Sequence, residues 1–244
     1  MARRFRARLE GVTFMGIFGY YLIGIVAFVV SLALSGWLRS TYNRWSRVAN
    51  TAGLTGAQVA EAILKANNIT NVRVEATRGQ LTDHYDPRSR VVRLSEGIYG
   101  RASVAGMAVA AHEVGHAIQH AKAYAPLQWR SALAPVASIG SNFGMMLAML
   151  GLFIGVGAQQ GGGNLFLQIG IILFSAAVLF QVITLPVEFD ASRRALVNLN
   201  RMGLVTPQDS SGARSVLTAA AMTYVAAAAT SIAYLLYFIS ASRD

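Results

Sequence analysis

The most informative stretch of the chain reads Ala111-His112-Glu113-Val114-Gly115-His116. The pattern is His-Glu-x-x-His. On an α-helix, His112 and His116 lie one turn apart and project from one face, so both imidazoles can bind one metal ion. Glu113 lies beside them, where it can take a proton from a water molecule at the metal. We expect a helix over residues 102–124 that carries this site, with Pro126 ending it.

The composition indicates a membrane protein. Of the 244 residues, 54% are hydrophobic and 13% are charged, which is too apolar for an ordinary soluble domain. The chain has no cysteine, so disulfides and thiolate ligands are excluded and a metal must be held by His, Asp or Glu. The net charge of +10 is typical of basic residues that flank membrane spans. No basic run is interleaved with aromatic residues, so we expect no nucleic-acid partner.

Four apolar segments are long enough to cross a lipid bilayer, which needs about 20 residues. The predicted division of the chain is a basic segment at 1–12, spans at 13–38, 133–156, 165–185 and 216–239, a polar region at 39–132, and a further segment at 186–215. The first apolar run is too long for a signal peptide, and no small-residue cleavage site follows it. Gly161 to Asn164 is predicted to form a short turn between the second and third spans. None of the four spans contains a charged residue, which argues against a transporter.

The polar region at 39–132 is predicted to hold a small α+β unit. Thr55-Gly-Ala-Gln58 is typical of a capping box that opens a helix through Asn67. Val72–Ala76 alternates like a half-exposed strand, and Val91–Leu94 is its predicted hairpin partner. The linking residues 79–90 are rich in turn formers and are predicted to form an exposed loop. The fold class is therefore mainly α, with four transmembrane helices and a small α+β region that contains a β-hairpin.

A catalytic zinc site usually has three protein ligands and one open position for water. His120 follows His116 by one turn, but it lies about 12 Å from His112 along an unbroken helix, and zinc–nitrogen bonds are about 2 Å long. A metzincin-type site turns the chain back with a glycine three residues after the second His, where this chain has Gln119. His120 is therefore predicted to support the site or to be merely exposed.

Glu188 is the better candidate for the third ligand. The second span carries the chain away from the His-Glu helix and the third span brings it back, so Glu188 returns to the same membrane face. Pro186 is predicted to open a helix with Glu188 in its first turn. An alternative is that Glu188 and Asp190 only pair with the arginines at 193 and 194. If Glu188 is a ligand, Asp190 is a candidate for orienting a ligating His through its free ring N–H.

Three segments together resemble the YugP-type neutral zinc metallopeptidases of bacterial membranes. They are Ala110–Gln119, Leu185–Arg194 and the run Asp83-His84-Tyr85-Asp86-Pro87-Arg88. The resemblance covers most of the chain and implies a zincin-like helix, bound Zn²⁺ and peptidase activity. The chain is more distantly similar to HtpX-type membrane proteases, which continue Glu-x-x-x-Asp after the third ligand. Here the corresponding residue is Ser192, and an acid stands instead at Asp190.

The predicted function is a membrane-embedded zinc endopeptidase with Glu113 as general base, acting at the membrane surface on peptides or membrane proteins. An additional donor to the oxyanion is expected, and the candidates are His84, Tyr85, His120, Arg193 and Tyr224. The alternative is a non-catalytic scaffold protein with a structural or vestigial zinc site. A structural zinc usually has four protein ligands, so a fourth ligand such as Asp190 or His84 would favour that alternative.

The resemblance implies a multi-pass protein of the bacterial inner membrane, and the distribution of basic residues predicts an active site on the cytoplasmic face. Basic residues near span ends are more numerous on the catalytic side. That side has Arg39, Arg44, Arg47, Lys122, Arg130, Arg193, Arg194 and Arg214. The other side has Arg3, Arg4, Arg6, Arg8 and Arg243. The N-terminal arginine cluster argues for the opposite orientation.

Overall fold

The computed structural model describes the backbone of residues 2–157 and 162–243, and the side chains of residues 18–154 and 165–243. The helices are α1 (Ala2–Ser46), α2 (Gly56–Ala66), α3 (Glu96–Tyr99), α4 (Val104–Ala121), α5 (Ala125–Ile139), α6 (Met145–Gly157), α7 (Gly162–Arg201) and α8 (Pro207–Ala241). A π-helical segment, Gly140–Gly144, joins α5 to α6. The strands are β1 (Arg73–Thr77), β2 (His84–Asp86) and β3 (Val91–Ser95). The predicted turn at 161–164 falls partly outside the described residues, and α7 already begins at Gly162.

The chain divides into two compact units. The first comprises Met1–Leu32, Arg130–Ile183 and Tyr224–Asp244, and the second comprises Ala33–Trp129 and Thr184–Thr223. Within the described residues, four helical stretches are long and apolar enough to cross a membrane, which confirms the predicted number of spans. Their bounds are Phe18–Ser46, Ala125–Ile154, Leu165–Arg201 and Pro207–Ala241. Each helix is longer than its predicted span because helical structure continues into the polar sequence on either side.

The first unit consists of apolar helices packed through small residues. A Cβ atom at Gly140 or Gly144 would collide with the backbone of α7 at Leu173 or Phe174, so these glycines let the helix axes approach closely. Large apolar side chains cover its outer surface, including Phe28 with 64% of its surface exposed and Ile172 with 71%. An outer surface of this kind suits contact with lipid tails.

The second unit contains a three-stranded sheet in the order β1-β3-β2. The predicted hairpin between 72–76 and 91–94 is wrong, because β1 and β3 are parallel, with Arg73 opposite Val91. A parallel pair needs a crossover of about a dozen residues or more, and residues 78–90 provide it. These residues are not the predicted exposed loop throughout, since His84–Asp86 forms β2. β2 is antiparallel to β3, so a β-hairpin is present with β2 as the partner.

The core of the second unit lies between the sheet and two helices. Thr55 and Gln58 form the predicted capping box at the start of α2, with Thr55 N–H donating to Gln58 Oε1 over 2.9 Å. The apolar faces of the two helices and the central strand β3 meet in one cluster. Its fully buried members include Val59, Ile63, Val92, Leu94, Met107 and Val114. This packing holds α4, and with it the His-Glu pattern, in a fixed place.

Two prolines do not act as predicted. Pro126 does not end the His-Glu helix, which already ends at Ala121, but lies in the first turn of α5, where a missing N–H has no cost. Pro186 does not open a helix, because α7 runs through it without a break. Such interior prolines occur in apolar helices when neighbouring groups satisfy the freed carbonyl.

Candidate metal centre

The helices α4 and α7 cross closely at the His-Glu pattern. The Ser103 hydroxyl caps α4 by accepting from Gly106 N–H over 3.0 Å, and the helix then presents His112 and His116 on one face. One residue before His116, a Cβ at Gly115 would lie 2.5 Å from the Ala191 carbonyl oxygen of α7. Only glycine permits this approach, and the approach brings Glu188 of α7 opposite the two imidazoles.

The three predicted ligands converge. Glu188 Oε2 lies 3.3 Å from His112 Nε2 and 3.6 Å from His116 Nε2. The two imidazole rings are 4.7 Å apart between centroids and nearly perpendicular, at 84°. The His side chains are 15% and 11% exposed, and that of Glu188 is 4% exposed. The three side chains are therefore largely shielded from solvent, but both His side chains keep a small exposed area through which a molecule can reach the site.

The donor set fits a zinc ion. Tetrahedral ligands at 2.0–2.1 Å from zinc lie about 3.3–3.4 Å from one another, and the two distances to Glu188 Oε2 are close to this. All three ligand atoms lie within 4.8 Å of one another. Among the side chains that the structure describes, no fourth His, Asp or Glu joins this group. Three ligands are typical of a catalytic zinc site and four of a structural one.

On one flank of the site, a charged network orients His116. Gln119 Nε2 donates to the Val187 carbonyl oxygen over 2.8 Å and to Asp190 Oδ2 over 3.0 Å. Because both partners are acceptors, the amide can only accept with its Oε1, which lies 3.0 Å from His116 Nδ1. His116 therefore carries its proton on Nδ1 and keeps the Nε2 lone pair for a metal.

Arginines fix this network from outside. Asp190 accepts from Arg193 over 2.6 Å and from Arg194 Nε, and the Arg194 guanidinium lies 5.7 Å from the centre of the Tyr124 ring. We call the set of Gln119, Asp190 and Arg194 the His116 flank. Asp190 does not contact a ligating ring directly, as the sequence suggested, but accepts from Gln119, whose Oε1 lies beside His116 Nδ1.

The opposite flank, which we call the His112 flank, holds its ligand with one hydroxyl. Ser192 Oγ lies 3.1 Å from His112 Nδ1, and Ser192 is one helical turn beyond Glu188. A hydroxyl can donate as well as accept, so this contact orients the ring without deciding where its proton lies. The two ligating imidazoles are therefore supported very differently.

The electrostatics of the site favour a positive charge or a cation. Burial lowers the pKa of His116, but the hydrogen bond to Glu188 and the charges of Glu113 and Glu188 outweigh it, so the pKa is raised above its usual value. Glu113 is buried, with 8% of its surface exposed, and is close enough to act on the His116 ring. A proton and a divalent cation would compete for this place.

Comparison with known proteins identifies the family of the chain. Residues 20–243 match the family model described as "Putative neutral zinc metallopeptidase". The chain belongs to this family. It is also 45% identical over 215 residues to the "Putative membrane protease YugP" of Bacillus subtilis (strain 168), a match that covers 86% of this chain and 92% of that protein. No solved structure matches the chain.

The other predicted site residues of this family member lie outside the ligand group. His120 is exposed and its Nδ1 lies 2.8 Å from the Tyr85 hydroxyl of β2. His84 is exposed too, with its Nδ1 2.8 Å from the Thr82 carbonyl oxygen. Arg193 contacts Asp190. Tyr224 belongs to the first unit, whereas all three ligands belong to the second.

Two residues that contact the ligands were missed by sequence reasoning. Gln119 follows His116 by three residues, so it lies on the same helix face, yet the sequence shows no sign that its amide is fixed by α7. Ser192 stands four residues after Glu188, where HtpX-type proteases have an aspartate. This correspondence was the sequence signal that could have identified Ser192 as the residue that orients His112.

Proposed function

We propose that this member of the neutral zinc metallopeptidase family is a membrane endopeptidase that cleaves peptide bonds at the His112, His116 and Glu188 group. The observation that carries the proposal is the three-ligand geometry beside a buried carboxylate, Glu113. The three ligands would hold Zn²⁺. When bound, zinc supplies Lewis-acid polarisation of the scissile carbonyl and acidifies a water molecule.

The chain itself supplies proton transfer and orientation. Glu113 takes the proton of the attacking water and passes it to the leaving amine, as a general base and then a general acid. Gln119 and Ser192 keep the imidazoles turned so that both Nε2 atoms face Glu188.

Substrates of this activity would be peptides or membrane proteins with segments close to the bilayer. Glu188 follows the apolar run that ends at Leu185 almost directly, and one helix, α7, contains both. The strands β1 and β2 are the edges of the sheet, and β2 contacts α4 through the Tyr85–His120 hydrogen bond. An extended peptide adding to an edge strand is a common mode of recognition.

The decisive experiment replaces Glu113 by Gln in the full-length protein. We expect zinc content to stay at the wild-type level while peptide cleavage falls by about 10²–10⁴-fold, the usual contribution of a general base. His116→Ala should lose both zinc and cleavage. Glu61→Gln is the matched control, since Glu61 is an exposed residue of α2 and should retain both.

Two results would refute the proposal. Unchanged cleavage in Glu113→Gln would remove this residue from the mechanism, and zinc bound without any cleavage by the wild type would favour a scaffold protein.

The proposed inner-membrane topology, with the active site on the cytoplasmic face, is tested separately by reporter fusions in residues 157–163. This orientation places residues 157–163 outside the cytoplasm. If a reporter that works only in the cytoplasm is active when fused there, the orientation is contradicted.

A further inference from the structure

A groove of about 590 Å³ runs along the second unit between the facing sides of α7 and α8. Its walls are mostly apolar. The α7 wall includes Phe189, Leu196 and Val197, and the α8 wall includes Leu217, Ala221 and Met222. Phe189 is 47% exposed and Val197 is 54% exposed, so the groove is open to an incoming chain.

The groove joins the metal centre at Ser192. This residue lines the groove and its hydroxyl lies 3.1 Å from His112 Nδ1. On the His116 flank, the Gln119 amide instead donates to Asp190 Oδ2 and to the Val187 carbonyl oxygen. The His112 flank is therefore the side on which a bound molecule could lie beside the site.

The size of the groove suits a short extended peptide. Its lining on α7 extends from Phe189 to Asn200, which is about 16 Å along a helix. An extended chain rises about 3.3 Å per residue, so about five residues would fit.

The charge of the groove selects among such peptides. Within the described lining, the charged side chains are both cationic, Arg193 on α7 and Arg214 on α8. Arg193 shares Asp190 with Arg194, so two guanidinium groups face one carboxylate and a positive charge remains. Arg214 is exposed. An acidic group in the groove would complement these charges, whereas a basic group would be repelled.

We infer that the α7–α8 groove binds the substrate next to the scissile bond and selects an apolar segment that carries an acidic side chain. The inference rests on the proposed peptidase function and adds the class of substrate. Arg214 is the specificity-determining cation, because it lies away from the Asp190 network that orients His116. Apolar contact with Leu196 and Leu217 supplies affinity, and the cations supply selectivity.

The test uses quenched fluorescent peptides rich in Leu and Phe, each with one Glu at a successive position, and a matched set with Lys in its place. For at least one position, the full-length wild type in neutral detergent should cleave the Glu peptide with a kcat/KM about fivefold or more above the Lys peptide. Arg214→Glu should reverse this preference at unchanged zinc content. Arg201→Glu is the matched control, since Arg201 is an exposed cation of α7 outside the groove.

A second variant tests the apolar part of the groove. Thr218 is exposed on the α8 wall, and Thr218→Trp should raise KM for all the peptides about tenfold while zinc content and the thermal unfolding midpoint stay unchanged. Together the two variants separate the charge of the groove from its volume.

The outcomes distinguish the groove from the activity. Equal cleavage of both peptide sets, or a preference that survives Arg214→Glu, would overturn the groove assignment and leave the peptidase intact. If phosphatidylglycerol in the micelles inhibits the wild type but not Arg214→Glu, the groove binds an anionic lipid instead. If no peptide is cleaved in a zinc-dependent manner, the proposed function fails and the groove assignment fails with it.

Discussion

The two flanks of the metal centre differ in how they hold their imidazole. On the His116 flank, an amide fixed by two acceptors places the proton of the neutral His116 ring on Nδ1, and two arginines fix the carboxylate behind it. On the His112 flank, a single hydroxyl contacts the ring and an apolar groove begins directly beyond it. One ligand is thus held by a hydrogen-bond network, and the groove that we infer to bind substrate begins beside the other.

Gln119→Leu should have the largest effect on this comparison. The change keeps the size of the side chain but removes the acceptor from His116 Nδ1 and leaves Asp190 without one of its donors. We expect zinc affinity to fall by about 10–100-fold, as is usual when a partner of a ligating His is lost. Competition with a fluorescent zinc chelator measures it. An unchanged affinity would show that the network does not orient His116.

Acidification should have the next largest effect, and it tests the same flank. Because the pKa of His116 is raised in the metal-free protein, zinc must displace a proton once the pH falls below that value. Affinity is then complete above the raised pKa and drops by up to about tenfold per pH unit below it. Zinc titrations between pH 5 and 8 measure this dependence.

The stability of the metal-free protein should change in the opposite sense. A raised His pKa contributes stability that is complete below about pH 6.5, the unfolded value, and is lost as the pH rises through the folded pKa.

In Gln119→Leu the pH midpoint of zinc binding should move to lower pH, because the Gln119 hydrogen bond is one of the contacts that raise the pKa of His116. A midpoint that stays in place would assign the acid sensitivity to another group.

Ser192→Ala should have the smallest effect. The ring of His112 loses one hydroxyl contact, which is worth about 0.5–1.5 kcal/mol, so zinc affinity should fall by less than about tenfold. Ser215→Ala is a matched control, because Ser215 is a serine of α8 whose hydroxyl donates only to the Ser211 carbonyl oxygen of its own helix. A loss as large as that of Gln119→Leu would remove the distinction between the flanks.

Much of this arrangement follows from local sequence patterns. The spacing of His112 and His116 predicts two ligands on one helix face, the four apolar segments predict the spans, and Thr55 with Gln58 predicts the start of α2. The third ligand required reasoning about topology, since Glu188 lies in another helix. The prediction that Pro186 begins a helix was wrong. A proline inside an isolated helix is disfavoured, whereas packed apolar helices tolerate it.

The pairing of the strands could not be predicted in the same way. Alternation in 72–76 and 91–94 indicates strands, but it does not show whether the two strands run parallel or antiparallel. That orientation depends on the structure of the segment that connects them. Here the crossover contains β2, a strand of three residues. Such a short strand has little periodicity of its own, and its pairing with β3 is what stabilises it.

The sequence by itself determined the chemistry of the site, because ligand type and helical spacing are local properties. It also determined the membrane character, because hydropathy over about 20 residues is a local property too. Only the tertiary structure decided which residues support each imidazole and which flank remains open. The supporting contacts join α4 to α7 across a long separation in the chain, and the open groove lies between α7 and α8. Both depend on packing that no single segment encodes, including the close approach at Gly115.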